Sequence, residues 1–312
     1  MSELVVSLPS AELRRAVGDV DGVTFVDWDM QGDAPRERVD IVVPPYMYGT
    51  SPLAQLSGVD VRLVQWQSIG IDGVADALPV DVPFANAATV HETSTAELAL
   101  ALTLAAQRGI PRFVRDAATG TWRNESLLSL ADRKVLLVGY GGVSQAIEAR
   151  LEGFEVSLTR VARSARQAEN LAGAAVPVHG IDELPALLAE VEVVIVAVPL
   201  TDDTRGLFDA EALAAMPDGA LLVNVARGAV VDTGALVAEL QAGRLRAAVD
   251  VTDPEPLPAD HPLWSCENAL ISPHVGGASS AMVPRMARLI RRQIAHLQSG
   301  ERPENIVLGS WE

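Results

Sequence analysis

Three short segments in the second half of the chain carry side chains suited to moving a proton onto an oxygen that lies beside a carboxylate. Arg227 and Gly228 follow the apolar run 221–223 and Asn224; Glu255 stands between Pro254 and Pro256 in a loop that opens at Asp250; His274 lies in Ser272-Pro273-His274-Val275-Gly276-Gly277. Each comes at or just after a strand-like apolar run and beside glycine or proline. At such carboxyl ends of strands, open α/β sheets present their ligand-binding residues. Arginine at that place binds a carboxylate and polarises a neighbouring keto oxygen through charge-assisted hydrogen bonds. A protonated His274 donates a proton to that oxygen while hydride reaches the carbon. Glu255, hydrogen-bonded to the ring, orients it and favours its charged form, raising a pKa that is ordinarily about 6.5. Together these parts suit reduction of a 2-keto acid. Asp253 is a second acid in the same loop, a competitor for the role of Glu255. The other histidines, His91, His179, His261 and His296, lie outside the strand-end pattern and read as structural or surface groups.

A hydride donor is written into the middle of the chain. The apolar run 135–138 enters Gly139-Tyr140-Gly141-Gly142-Val143-Ser144, after which Val143, Ile147 and Leu151 recur at helical spacing. Gly139 allows a tight turn, and Gly141 lets the backbone approach a pyrophosphate at a helix N-terminus. Gly139, Tyr140, Gly141, Gly142 and Val143 are therefore expected to bind a dinucleotide. Ser144 stands where a third glycine is usual, either as a tolerated packing substitution or as a hydroxyl donor to the pyrophosphate. The acidic residue that would hold the adenosine ribose is missing from the end of the next strand, which reads Thr159-Arg160-Val161-Ala162-Arg163-Ser164. Arginine there pairs with a 2′-phosphate, so Arg160 and Arg163 point to NADP as the preferred cofactor, with NAD possible. The competing reading makes both arginines solvated surface charges.

Positioning these residues requires parallel sheets. Strand candidates at 4–8, 40–43 and 61–65, with a helix-like 11–17 between the first two, form one α/β unit. A long helix is expected over 93–108, with Ser94 and Glu97 spaced as a capping box and Pro111 just past its end. A second series, 135–138, 156–158, 193–198, 221–225, 247–251 and 270–272, consists of nearly continuous apolar runs, as in strands covered on both faces. A last helix is expected over 280–297. The proline-rich 253–262 reads as loop. Tyr46, Met47 and Tyr48, after two prolines, either line a substrate pocket or form an ordinary packed loop.

Composition narrows the partners. The 312 residues suffice for two domains, and a hydrophobic content of 49% with 21% charged residues is that of a globular protein. A formal charge of −17 argues against nucleic acid and against an anionic membrane surface. It does not conflict with a small anionic substrate met by Arg227 and local main-chain donors. The single Cys266 allows no internal disulfide, no Cys/His spacing fits a metal site, and the first residues lack the pattern of a secretory signal. The apolar stretch 98–106 is far shorter than the roughly 20 residues of a membrane span. The expectation is a cytoplasmic protein with no metal.

The runs VVIVAVPLTDDTRG (193–206), NVARGAVVD (224–232), DVTDPEPLP (250–258) and SPHVGG (272–277) closely resemble the signatures of the D-isomer-specific 2-hydroxyacid dehydrogenases, in the family's order. With the glycine turn, the resemblance covers about 130–278. It implies two Rossmann-like doubly wound domains, a dinucleotide domain (99–275) inserted into a flavodoxin-like substrate domain (1–98 and 276–312). It implies catalytic roles for Arg227, Glu255 and His274, a nicotinamide-carboxamide contact at Asp250, and cofactor-lining backbone at Val198, Pro199, Val225 and Ala226, with Thr204 on the cofactor side. Ser68-Ile69-Gly70-Ile71-Asp72 looks like the family's substrate loop, which points to the N–H groups of Ile69 and Gly70, with Arg227 and His274, as substrate-binding. A homodimer through 93–108 and the segment after it, including Trp122, is implied as well. Within the family the sequence looks most like the glyoxylate/hydroxypyruvate reductases. A phosphoglycerate dehydrogenase-like enzyme is an alternative, for which an extra basic phosphate pocket is expected; with no added regulatory domain expected after the core, its feedback-controlled form fits less well. A dinucleotide-sensing, non-catalytic protein of the same fold is the alternative from another class.

Overall fold

A computed structural model describes residues 3–79 and 81–311. In chain order the elements are β1 (Leu4–Leu8), α1 (Ala11–Val17), β2 (Val23–Asp27), β3 (Arg38–Val42), β4 (Asp60–Gln65), α2 (Val74–Ala77), β5 (Phe84–Ala85), α3 (Glu92–Gln107) and α4 (Ile110–Ala118). Next come β6 (Lys134–Val138), α5 (Gly142–Leu151), β7 (Ser157–Ala162), β8 (Arg166–Glu169), β9 (Ala175–Gly180), α6 (Leu184–Leu188), β10 (Val193–Val196), α7 (Ala210–Ala215) and β11 (Leu221–Asn224). The chain closes with α8 (Thr233–Gln241), β12 (Arg246–Val249), β13 (Ala269–Ile271), α9 (Met282–Ser299) and β14 (Ile306–Leu308). Two compact units result, one of Met1–His91 with Ser279–Glu312, the other of Glu92–Ala278.

In the first unit the strands run in the order β14-β5-β4-β3-β1-β2, all parallel except the antiparallel pair β14–β5. Read from the other edge this is the 2-1-3-4-5 order of flavodoxin-like sheets with one added strand. Because successive side chains of a strand point to opposite faces, Leu4, Val6 and Leu8 pack under α1 and α9, while Val5 joins Val39, Val42 and Val64 on the other face. Both faces are covered, so these strands read as continuous apolar runs.

The second unit carries the order β13-β12-β11-β10-β6-β7-β9-β8, parallel except for the edge hairpin β8–β9. Counting from β6 and leaving out β8, this is the doubly wound 3-2-1-4-5-6 order with β13 as a seventh strand. The reversal, where such sheets bind ligands, falls between β6 and β10. Leu136, Val194 and Leu222 face one core layer; Val135, Leu137, Ile195 and Val223 face the other, against α3 and α5.

Local chemistry sets the element ends. Ser10 caps α1 through the Leu13 amide, and Asp232 caps α8 through the Ala235 amide at 2.8 Å. Helix α3 begins at Glu92, so Ser94 lies inside it, buried, and the expected capping box does not form. Pro111 sits in the first turn of α4, where its missing N–H costs no helical bond, so it opens a second helix that the sequence reading did not include. Ile147 is fully buried between α5 and the sheet. Ile147→Ala is expected to lower unfolding stability by about 2–5 kcal/mol, read from the urea midpoint at unchanged slope.

Candidate active site

The glycine turn is built around a contact that admits no side chain. Gly139 has φ +92°, and a Cβ there would lie 2.5 Å from the Ala197 carbonyl oxygen. Its N–H donates to Val161 O, while Ala197 N–H donates to Val138 O, so the turn is wedged between the ends of β7 and β10. Gly141 is the N-cap of α5, and a Cβ on it would meet nothing within 4 Å. A ligand can therefore come against the backbone at the positive end of a ten-residue helix. That cradle fits the pyrophosphate of a dinucleotide. Val143 is half-buried beside it, and Ser144 is fully buried with its hydroxyl unpartnered within the packing of α5 on the sheet.

The arginines expected at the adenosine end are not brought together. Arg160 turns inward: its Nε and Nη2 donate to Glu148 at 2.9 and 2.7 Å, and its side chain is only 13% exposed. The same carboxylate accepts from the Tyr140 hydroxyl at 2.5 Å and from Asn170 Nδ2 at 3.1 Å. Burial pushes Glu148 up, but the hydrogen bonds from Arg160, Tyr140 and Asn170 outweigh it and hold the carboxyl below its ordinary range. Burial, then the hydrogen bond to Glu148, pushes the Tyr140 phenol up to about 12. Arg163 is exposed, and so is Arg166, which the sequence reading did not single out; Arg166 Nη2 donates to Tyr140 O at 3.3 Å. Glu148 also went unnoticed, since nothing local links it to an arginine twelve residues away.

At the ends of β11, β12 and β13, adjacent in the sheet, the structure does bring the expected residues together. Asn224, buried at the end of β11, shapes the first turn: its Oδ1 accepts from Ala226 N–H and its Nδ2 donates to Arg227 O, both at 3.0 Å. Val225 and Ala226 are buried in that turn. A Cβ on Gly228 would lie 1.9 Å from Thr252 O, so only glycine lets the turn after Arg227 abut the loop that carries Glu255. The neighbouring turn after β10, with Val198 and Pro199, is tied by Thr204, whose hydroxyl accepts from Thr201 N–H at 2.8 Å and donates to Pro199 O at 2.7 Å.

Asp250 anchors the third segment. One carboxylate oxygen accepts from Ser272 Oγ (2.6 Å) and Val275 N–H (2.9 Å), and the other from Gly276 N–H (2.8 Å). Its main-chain oxygen accepts from His274 N–H at 2.7 Å. His274 is thereby held at φ +52°, a left-handed conformation unfavourable by about 1–2 kcal/mol for a residue with a Cβ. From it the imidazole Nδ1 meets Glu255 Oε1 at 2.5 Å, with a third of the His side chain exposed. That hydrogen bond raises the His274 pKa from its ordinary value; burial and Arg227 oppose it, and the charges of Glu255 and Asp250 add to it. Burial pushes Glu255 up, but His274, Thr252 N–H and Arg227 together bring it down. The His274 side of the pair stabilises the fold fully below the ordinary histidine pKa and is lost as pH rises through the raised one, while the Glu255 side is lost as pH falls through its lowered pKa.

In the first unit the carbonyls of Ile69 and Gly70 accept from Asn86 Nδ2 (2.9 Å) and Trp66 Nε1 (3.1 Å). Tyr46 stacks on His91 at 5.5 Å, while Met47 and Tyr48 are exposed. His179 pairs with Glu183, His261 accepts from Leu263 N–H, and His296 lies near Glu301 and Glu304. Among the described residues no group of His, Cys, Asp and Glu could hold a metal ion, and no helix is long and apolar enough to cross a membrane.

A doubly wound sheet with a glycine cradle at its switch point and an Arg, Glu and His at three adjoining strand ends suits nicotinamide-dependent hydride transfer. Residues 100–276 match the D-isomer specific 2-hydroxyacid dehydrogenase, NAD binding domain. Glyoxylate reductase of Pyrococcus furiosus is 30% identical, over 96% of this chain and 95% of its own. The D-isomer specific 2-hydroxyacid dehydrogenase of Xanthobacter autotrophicus Py2, solved with NADPH and MES, is 30% identical with a TM-score of 0.77, covering 97% of this chain and 98% of that one. The NADPH-dependent glyoxylate/hydroxypyruvate reductase of Sinorhizobium meliloti, solved with NADP and sulfate, is 25% identical with a TM-score of 0.82, covering 98% of both chains. The chain belongs to the D-isomer specific 2-hydroxyacid dehydrogenase family and is an NAD(P)-dependent oxidoreductase.

Replacing Glu255 with Gln turns the charge-assisted hydrogen bond that most raises the His274 pKa into a neutral one and removes the carboxylate charge, leaving Asp250 alone to oppose burial and Arg227. An NMR titration of the His274 ring in Glu255→Gln is therefore expected to show a lower pKa than in the unmodified protein.

Proposed function

We propose that the protein reduces a short 2-keto acid of the glyoxylate or hydroxypyruvate kind to the 2-hydroxy acid, with NADPH as preferred donor. The observation that carries this reading is the 2.5 Å His274–Glu255 pair beside Arg227. Arg227 holds the substrate and polarises its keto oxygen, and the N–H groups of Ile69 and Gly70 take the carboxylate. Glu255 keeps His274 Nδ1 occupied, so Nε2 is the nitrogen that gives its proton to the oxygen. The bound nicotinamide supplies the hydride. Asp250 would contact the nicotinamide carboxamide, the backbone of Val198, Pro199, Val225 and Ala226 would line the cofactor, and Thr204 ties the turn after β10. The first unit is the substrate domain and the second the dinucleotide domain in this scheme. His274→Ala is expected to lower kcat for keto-acid reduction by about 100- to 10,000-fold. Reduction by the unmodified enzyme should fall as pH rises through the raised His274 pKa, because the proton is then lost; oxidation of the hydroxy acid should rise over the same interval. Nicotinamide absorbance, followed with a panel of 2-keto acids, measures both. Dinucleotide binding without turnover of any acid would favour the non-catalytic sensor instead.

NADPH preference rests on Arg163 and Arg166, exposed after β7, and on the lack of an acid there; Arg160 acts from behind, through Glu148. Arg163→Glu is expected to cost NADPH roughly tenfold or more in kcat/KM, in line with about 1.5–3 kcal/mol for charged hydrogen bonds, while NADH improves or holds. Equal efficiency of the two cofactors in the unmodified enzyme would count against the preference.

A homodimer is the partner this reading includes. No residue of α4 is buried, and Ile110, Val114, Leu128 and Trp122 are exposed, the last at 94%. The ion pairs Arg112–Glu125 and Arg123–Asp116 hold the following segment to the helix. Sedimentation should give a dimer that weakens in Val114→Asp/Trp122→Ser.

A further inference from the structure

We propose that Asn86 and Trp66 are positioning residues for the substrate carboxylate, because they pin the loop 67–70 by its carbonyl edge and so aim its N–H edge; this rests on the functional reading above. Four consecutive carbonyls of that loop are bonded to the body of the first unit. Gln67 O accepts from His91 Nε2 at 2.6 Å, and Ser68 O from Ala87 N–H at 2.9 Å. Ile69 O accepts from Asn86 Nδ2 at 2.9 Å, and Gly70 O from Trp66 Nε1 at 3.1 Å.

A trans peptide unit is planar, so the carbonyl of one residue and the N–H of the next point in opposite directions. Pinning Ser68 O therefore sets the direction of the Ile69 N–H, and pinning Ile69 O sets that of the Gly70 N–H. These are the two donors assigned to the carboxylate. Pinning Gly70 O sets the Ile71 N–H, one peptide further on. Fixed donors bind an anion without first losing loop entropy.

The anchors are themselves fixed. Ala87 is fully buried, His91 and Trp66 nearly so, and Trp66 packs on Phe84 with ring centroids 5.7 Å apart. Asn86 Oδ1 accepts from Ala88 N–H at 3.1 Å, which settles that the amide NH2 faces Ile69 O. The Asn86 backbone is held in turn, its carbonyl accepting from Gln65 Nε2 and its N–H donating to Asn305 O.

The test compares Asn86→Asp and Trp66→Phe with the unmodified full-length enzyme, loaded with NADPH, over a keto-acid series, with a thermal melt for each. Asn86→Asp keeps the acceptor for Ala88 but sets a carboxylate against Ile69 O. It should raise keto-acid KM roughly tenfold, as expected for misaligning one hydrogen bond to a charged group, and leave the KM for NADPH unchanged. Trp66→Phe keeps an aromatic ring beside Phe84 and removes the N–H together with part of the indole's buried bulk, which the thermal melt registers; keto-acid KM should rise less, about two- to threefold. A keto-acid KM unaltered in a folded Asn86→Asp, or an equal rise in both KM values, overturns the proposal. If Asn86→Asp does not fold, Trp66→Phe decides by the same split. No turnover of any keto acid by the unmodified enzyme overturns the functional reading and this proposal with it; turnover with unchanged KM in the variants overturns this proposal alone.

Discussion

Asp250 closes β12 with both carboxylate oxygens accepting from the segment that follows β13, and its main-chain oxygen accepts from His274 itself. Without that staple nothing in a Ser-Pro-His-Val-Gly-Gly run would favour a left-handed histidine, and the imidazole would not meet Glu255. The neighbouring constraint is steric. Gly228 lies so close to Thr252 O that the turn after β11 and the loop after β12 share one surface. A buried carboxylate and a missing Cβ thus fix the relation among three strand ends, and the charges of Arg227, Glu255 and His274 act on one another only because of it.

The glycine cradle has a comparable hidden support. Glu148 on α5, Tyr140 in the turn, Arg160 on β7 and Asn170 after β8 share one buried carboxylate. A charge in such a place is tolerated only when paired and hydrogen-bonded, and here four donor contacts meet it. The consequence for the cofactor is indirect. The cluster ties helix, turn and edge hairpin together and takes Arg160 out of the solvent-facing set, leaving Arg163 and Arg166 at the surface beyond β7.

Much of the fold was legible because burial on both faces leaves a mark in one dimension. The runs 135–138, 193–198 and 221–225 read as strands because their covered faces demand apolar side chains throughout. β8 and β9 leave no such run, and the short apolar stretches of β2 (Val23–Asp27) and β14 (Ile306–Leu308) were not read as strands. β8 is a mostly exposed edge strand, β9 alternates exposed and buried residues, and β14 is defined by an antiparallel partner more than two hundred residues away. α4 shows no buried face, so it carries no core-facing stripe to find.

The sequence by itself determined the class of chemistry: a glycine turn between strand and helix, and an arginine, glutamate and histidine each set at a strand end among small or rigid residues, are local patterns that survive without coordinates. Tertiary structure alone decided which side chains meet at the strand ends and which lie paired behind them. Arg160 and Arg163 look equivalent in the sequence, yet one is paired inside and the other exposed. Asp253 and Glu255 look interchangeable, yet only Glu255 meets His274. Asn86, Trp66, Glu148 and Ser272 carry no motif of their own. Their importance lies in hydrogen bonds to residues distant along the chain, and such partners are chosen by how the strands pack, a three-dimensional fact that local spacing does not encode.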